Sequence, residues 1–123
     1  MWFSEEAGRK VARIDMKGRI TEFDVPITQP NMILAGIAFD DAGNLWTHGY
    51  VDRNDPQPAG DDYLFRFDRS IQDARDGDAA KNVDVTLYRV PTRGTVMHRI
   101  VQGPDGNIWF TELATNKVGV LLQ

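Results

Sequence analysis

The sequence predicts an all-β chain built from repeated, four-stranded antiparallel units. Three observations carry this. Trp2-Phe3-Ser4-Glu5-Glu6-Ala7-Gly8-Arg9-Lys10-Val11 aligns without gaps to Trp109-Phe110-Thr111-Glu112-Leu113-Ala114-Thr115-Asn116-Lys117-Val118, with identities at Trp, Phe, Glu, Ala, Lys and Val. A degenerate middle copy begins at Leu45-Trp46-Thr47-His48, introduced by Ala42-Gly43-Asn44 as Trp109 is introduced by Asp105-Gly106-Asn107-Ile108. No segment carries a long apolar stripe at helical spacing. A repeat of about 40 residues marks a unit that buries its apolar face against the next copy.

Within the unit, the Trp strand comes first. An Arg-x-Asp strand follows, Ala12-Arg13-Ile14-Asp15 in one copy and Phe65-Arg66-Phe67-Asp68 in another. The third strand is Ile20-Thr21-Glu22-Phe23-Asp24-Val25-Pro26, matched by Val85-Thr86-Leu87-Tyr88-Arg89-Val90-Pro91. Thr21, Phe23 and Val25 alternate with Ile20, Glu22 and Asp24 at the period of two that a half-buried strand requires. A fourth strand enters the next Gly-Asn turn. Four short strands joined by Gly, Asn, Asp and Pro turns form one blade of a β-propeller. Trp2, Trp46 and Trp109 recur at one position of the unit, so they are expected to pack between blades, each with an acceptor for its indole N–H. Phe3, Phe23, Phe110 and Tyr88 belong to the same core. Only Ser70-Ile71-Gln72-Asp73-Ala74-Arg75 suits a turn or two of helix, with Ser70 as its cap.

A chain of 123 residues holds fewer than three such units, at about 1–44, 45–107 and 108–123. Met1 stands inside a strand, and Val118 to Gln123 falls on the equivalent of the Arg-x-Asp strand. The expectation is a partial β-propeller, a piece of a larger one, whose N-terminus is not the native start of the full protein. Open blade edges predict self-association.

Hydrophobic residues make up 41% and charged residues 26%, as in an ordinary globular domain. A net charge of −4 argues against nucleic acid as a partner, since phosphate binding needs clustered Lys and Arg. Arg9, Lys10 and Arg13 read as solvated turn residues. No stretch is apolar for long enough to span a bilayer, so a soluble chain is expected and no membrane partner. The absence of cysteine excludes disulfides, thiol chemistry and Cys-ligated zinc. Two insertions mark the middle unit, at 49–62 and 69–82, and rim loops of a propeller are where ligands and partners bind. Asp52, Asp55, Asp61 and Asp62 raise calcium as an idea, but their spacing matches no cation-binding loop, and a solvated loop is the better reading. Asp105-Gly106-Asn107 is first a hairpin turn.

Gly103-Pro104-Asp105-Gly106-Asn107-Ile108-Trp109-Phe110-Thr111-Glu112, followed by Asn116-Lys117-Val118-Gly119, resembles the repeat signature of the virginiamycin B lyase (streptogramin lyase) family. So does Gly18-Arg19-Ile20-Thr21-Glu22-Phe23-Asp24-Val25-Pro26 after Lys10-Val11-Ala12-Arg13-Ile14-Asp15. The resemblance covers most of the chain outside the insertions. It implies a seven-bladed propeller and a lyase that linearises a cyclic depsipeptide by elimination at its ester bond, with a magnesium ion and a histidine base. It places His98 at the base and Glu112 at a magnesium ligand, with a small-molecule or peptide-lactone ligand. An imidazole can take a proton from the carbon beside a carbonyl near neutral pH, and magnesium held by carboxylate oxygen stabilises the enolate.

A five-residue turn would set residue 98 opposite residue 112, whereas a two-residue turn would shift the register and put the pair on opposite faces. The sequence leaves both open. It also departs from the family. Val96 stands where a second glutamate is expected, Ala35 where a substrate-contacting histidine is expected, and Gly49 where the glutamate of that blade is expected. His48 has no family counterpart and reads as a strand or loop residue. Two other classes stay open, a non-catalytic binding or scaffold propeller and a lactonase or sugar-active propeller with a central calcium ion.

Overall fold

The computed structural model describes residues 1–75 and 82–123, so part of the 69–82 insertion lies outside the described residues. Ten strands, β1 (Trp2–Glu5), β2 (Lys10–Ile14), β3 (Ile20–Asp24), β4 (Met32–Phe39), β5 (Leu45–Val51), β6 (Tyr63–Phe67), β7 (Val85–Arg89), β8 (Met97–Gln102), β9 (Ile108–Glu112) and β10 (Lys117–Leu121), form three antiparallel sheets. The first runs β1-β2-β3, the second β4-β5-β6-β7 and the third β10-β9-β8. The expectation of uniform four-stranded blades is corrected, because among the described residues only the second sheet has four strands. The three sheets resemble propeller blades, and they do not close into a ring. The strand that ends each sequence unit, β4 or β8, pairs with the Trp strand of the next unit and becomes the first strand of the following sheet.

Two apolar cores lie between the sheets. Val11, Phe23, Met32, Leu34, Leu45, Phe65 and Phe67 fill the first, and Trp46, Leu64, Met97, Ile100, Ile108 and Phe110 fill the second. On β3 and just beyond it, Thr21, Phe23 and Val25 are buried while Ile20, Glu22 and Asp24 are exposed, so the alternation holds. Trp46 is fully buried, and its indole N–H donates to Asp40 Oδ2 at 2.8 Å. Trp109 makes the same bond to Asp105 Oδ1 at 3.1 Å, yet it is 38% exposed. The expectation that it would be buried between sheets fails because, among the described residues, no sheet packs on that face. Trp2 stacks on Phe23 and meets Phe39 edge-on, with ring centroids 5.8 and 5.5 Å apart.

Both inner turns are the expected hairpins. The Gly43 N–H donates to Asp40 O at 2.9 Å and the Gly106 N–H donates to Gly103 O at 3.0 Å. Each glycine sits at positive φ, 90° and 80°, where a side chain would be strained.

Arg13 is not a solvated turn residue. It lies on β2, its guanidinium stacks 5.4 Å over Trp2, and it donates to the carbonyls of Ile71, Gln72 and Ala74. It thereby pins the start of the second insertion, a short 3-10 helix Arg69–Gln72, onto the first core. The cap of that helix is Asp68, whose carboxylate accepts from the Ser70 N–H at 2.9 Å, so Ser70 is the capped residue and not the cap. Arg9 likewise reaches across to donate to Pro30 O, and Lys10 pairs with Glu22 on β3 at 3.0 Å.

Candidate active-site groove

The inner hairpins β4–β5 and β8–β9 are built alike. In the third sheet Gln102 pairs with Ile108 and Ile100 with Phe110, leaving five residues, Gly103 to Asn107, in the turn. That spacing would bring residue 98 opposite residue 112. A bulge intervenes, and Met97 pairs with Glu112 instead. The second sheet repeats the shift, since Ile37 pairs with Thr47 but Leu34 pairs with Gly49. One extra residue in each inner strand re-aims the side chains beyond it. Ala35 and Gly36 form the bulge of β4, and His98 and Arg99 occupy the same places in β8.

The bulge N–H is satisfied by one position of the neighbouring strand. Gly36 N–H donates to His48 Nε2 at 2.8 Å, and Arg99 N–H donates to Thr111 Oγ1 at 3.0 Å. Thr47 Oγ1 donates to Gly36 O at 2.8 Å, so both backbone groups of Gly36 are paired. The matching residue of the first sheet, Ser4, donates across the sheet boundary to Ala35 O at 2.7 Å. His48 thus has a structural duty that sequence reasoning missed. The only trace of it is that Ser4, His48 and Thr111 all carry a polar side chain at one repeat position.

His48 is fully buried, and since its Nε2 accepts a hydrogen bond, its Nδ1 carries the proton. Burial, with a smaller push from the nearby His98 charge, lowers its pKa to about 3. Among the described residues Nδ1 has no hydrogen-bond partner.

His98 and Arg99 are exposed. They line a groove of about 390 Å³ together with Ser4 and Glu6 of the first sheet's edge and Ala35, Gly36 and Tyr50 of the second. All three sheets contribute to it. Burial, reinforced by Glu6, raises the pKa of the Tyr50 phenol, so Tyr50 stays a hydrogen-bond donor at neutral pH. The groove therefore combines an imidazole, a guanidinium, a phenol and a carboxylate.

Glu112 does not line this groove. It ends β9 opposite Met97, on the face turned to the second core, and is 5% exposed. Thr115 Oγ1 donates to its Oε2 at 3.3 Å. Val96, where the resemblance calls for a carboxylate, adopts φ of 48°, a conformation that β-branched residues rarely take. Just before it, Thr95 donates from N at 2.9 Å and from Oγ1 at 2.6 Å to the buried Asp62 carboxylate. The last residue of the first insertion thus anchors the chain as it approaches His98.

The insertion acids serve the fold. Asp62 also accepts from Val51 N, Asp61 pairs with Arg93 at 2.7 Å, and Asp52 accepts from Asn54 N. Among the described residues no three His, Cys, Asp or Glu side chains meet in a metal-binding group.

No protein-family model matches the sequence, and no curated protein sequence does. Solved structures do. A catalytically inactive histidine-to-alanine variant of virginiamycin B lyase from Staphylococcus aureus, with quinupristin, matches with a TM-score of 0.73 at 26% identity. The match covers 99% of this chain and 34% of that one. The selenomethionine-substituted form of the same lyase gives 0.71 at 23% identity with the same coverage. A streptogramin B lyase structure gives 0.62 at 21%, covering 99% of this chain and 36% of that one. The chain has part of the virginiamycin B lyase fold and spans about a third of the length of the lyases it matches.

Proposed function

We propose that this chain carries the base side of a streptogramin-lyase-like site, in a protein that opens a cyclic depsipeptide lactone by elimination. One observation carries the reading. His98 stands exposed on an inner-strand bulge, in a groove to which all three sheets contribute. The relative with 26% identity was solved as an inactive histidine-to-alanine variant, so loss of a histidine is tied to loss of activity in that protein.

The His98 imidazole takes the proton from the carbon beside a carbonyl. The released electron pair forms a carbon–carbon double bond as the neighbouring ester C–O bond breaks, and the ester leaves as a carboxylate. Arg99, beside His98 in the groove, offers a cation to that developing anion. Magnesium, the cofactor that the resemblance implies, would stabilise the enolate. Glu112, the residue the resemblance assigns to magnesium, lies outside this groove, 5% exposed and opposite Met97. A single carboxylate does not replace the octahedral hydration of the ion, so the residues of this chain alone do not fit it. The reading therefore places the remaining metal-binding oxygens beyond this chain, and the site in this chain alone is incomplete.

A non-catalytic binding or scaffold propeller is the second reading. Ala35 and Gly49 favour it, since they empty in the second sheet the two positions that His98 and Glu112 fill in the third.

The test is incubation of a streptogramin B lactone with magnesium, read by chromatography and mass spectrometry. Elimination gives a linear product of unchanged mass, and hydrolysis adds one water. The 123-residue chain alone is expected to give neither. A full-length protein is expected to give the product of unchanged mass and to lose it on His98→Ala. Inactivity of the full-length protein would retire the enzyme reading.

A further inference from the structure

Without its bulge, β8 would pair residue 98 with residue 112, because the register on the turn side of the bulge is the one a five-residue turn dictates. The His98 side chain would then take the place of Met97, on the face buried against the second sheet. The extra residue alone keeps His98 in the groove. Two contacts hold that extra residue. Thr111 Oγ1 accepts the Arg99 N–H at 3.0 Å from within the third sheet. From the second sheet, Gly36 presses against the same segment. A Cβ at Gly36 would lie 3.1 Å from His98 O, 3.2 Å from Ile100 Cγ2 and 2.7 Å from His48 Nε2. Only a residue without a side chain lets β4 approach β8 this closely while His48 holds its N–H.

We propose that Thr111 and Gly36 are positioning residues that present His98 to the groove, Thr111 by holding the bulge and Gly36 by seating its backbone. The proposal rests on reading His98 as the base, but its readouts do not involve turnover. The chain has two histidines, and His48 is buried. Carbethoxylation by diethyl pyrocarbonate therefore reports His98, and amide exchange reports the Arg99 N–H. Thr111→Val keeps the shape and removes the acceptor. It is expected to speed Arg99 amide exchange about tenfold, the effect of losing one hydrogen bond, and to slow His98 modification. Thr111→Ser, which restores the hydroxyl, should return both to the parent values.

A folded Thr111→Val protein with both rates unchanged overturns the proposal. If that variant fails to fold, Gly36→Ala decides. Its methyl would crowd both His48 Nε2 at 2.7 Å and His98 O at 3.1 Å, so the backbone of His98 must give as well. An unchanged His98 modification rate there would also overturn it. Altered rates together with full lactone-opening activity in the full-length protein would instead count against His98 as the base and leave the positioning role standing.

Discussion

The inner hairpins of the second and third sheets share their turn, their five-residue spacing and their bulge, and differ in what they place on that frame. In the second, Ala35 and Gly36 fill the bulge, Gly49 faces Leu34, and a neutral buried His48 holds the bulge N–H. In the third, His98 and Arg99 fill the bulge, Glu112 faces Met97, and Thr111 holds the N–H. One histidine serves the backbone and the other faces solvent. The repeat therefore specifies where a side chain can be displayed, and the residue at the bulge decides whether that place carries chemistry.

The tryptophans offer the largest way to sharpen this comparison. Trp46→Ala empties a closed core and should cost about 3 to 5 kcal/mol in urea unfolding. Trp109→Ala, on the open face of the third sheet, should cost about 1 kcal/mol, the ordinary effect of a substitution. Equal losses would mean that the third sheet's outer face is covered in solution, as self-association through open edges would require.

A smaller effect separates two neighbouring acids. Asp62→Ala removes the buried acceptor of Val51 N and Thr95 and should cost about 2 to 3 kcal/mol. Asp61→Ala breaks only the exposed pair with Arg93 and should cost less than about 1 kcal/mol. Matching costs would contradict the anchoring role of Asp62.

His48 supplies a pH signature. In the folded chain it stays neutral down to about pH 3, while the unfolded chain takes up the proton near 6.5. Between those values the unfolded state binds the extra proton, so the stability His48 protects is complete above about pH 6.5 and declines as pH falls toward 3. His48→Thr, which copies the third sheet's residue, should remove that part of the acid sensitivity. Urea midpoints compared at pH 7 and pH 4.5 check it, and an unaltered pH dependence would show that His48 is not buried as described.

Much of this was legible in the sequence for a physical reason. Strands announce themselves by alternation, as Thr21, Phe23 and Val25 do, and turns by residues that tolerate positive φ, as Gly43 and Gly106 do. A one-residue bulge leaves no such mark. It changes neither the alternation on the turn side nor the turn itself, so the side-chain face of His98 was open until the register was seen. Arg13 was misread as a solvated turn residue because its partners are backbone carbonyls some sixty positions away, in an insertion the repeat does not predict. The burial of Trp109 was expected from Trp46 by repetition, and repetition says nothing of a neighbour that this chain does not contain.

The central claim is that two histidines at neighbouring places on equivalent hairpins have opposite exposure. Carbethoxylation of the native chain followed by peptide mass mapping tests it most directly. The structure predicts that the exposed His98 reacts in the folded chain and that the buried His48 reacts only when the chain is unfolded. Comparable modification of both histidines in the folded chain, or of His48 first, would contradict the account.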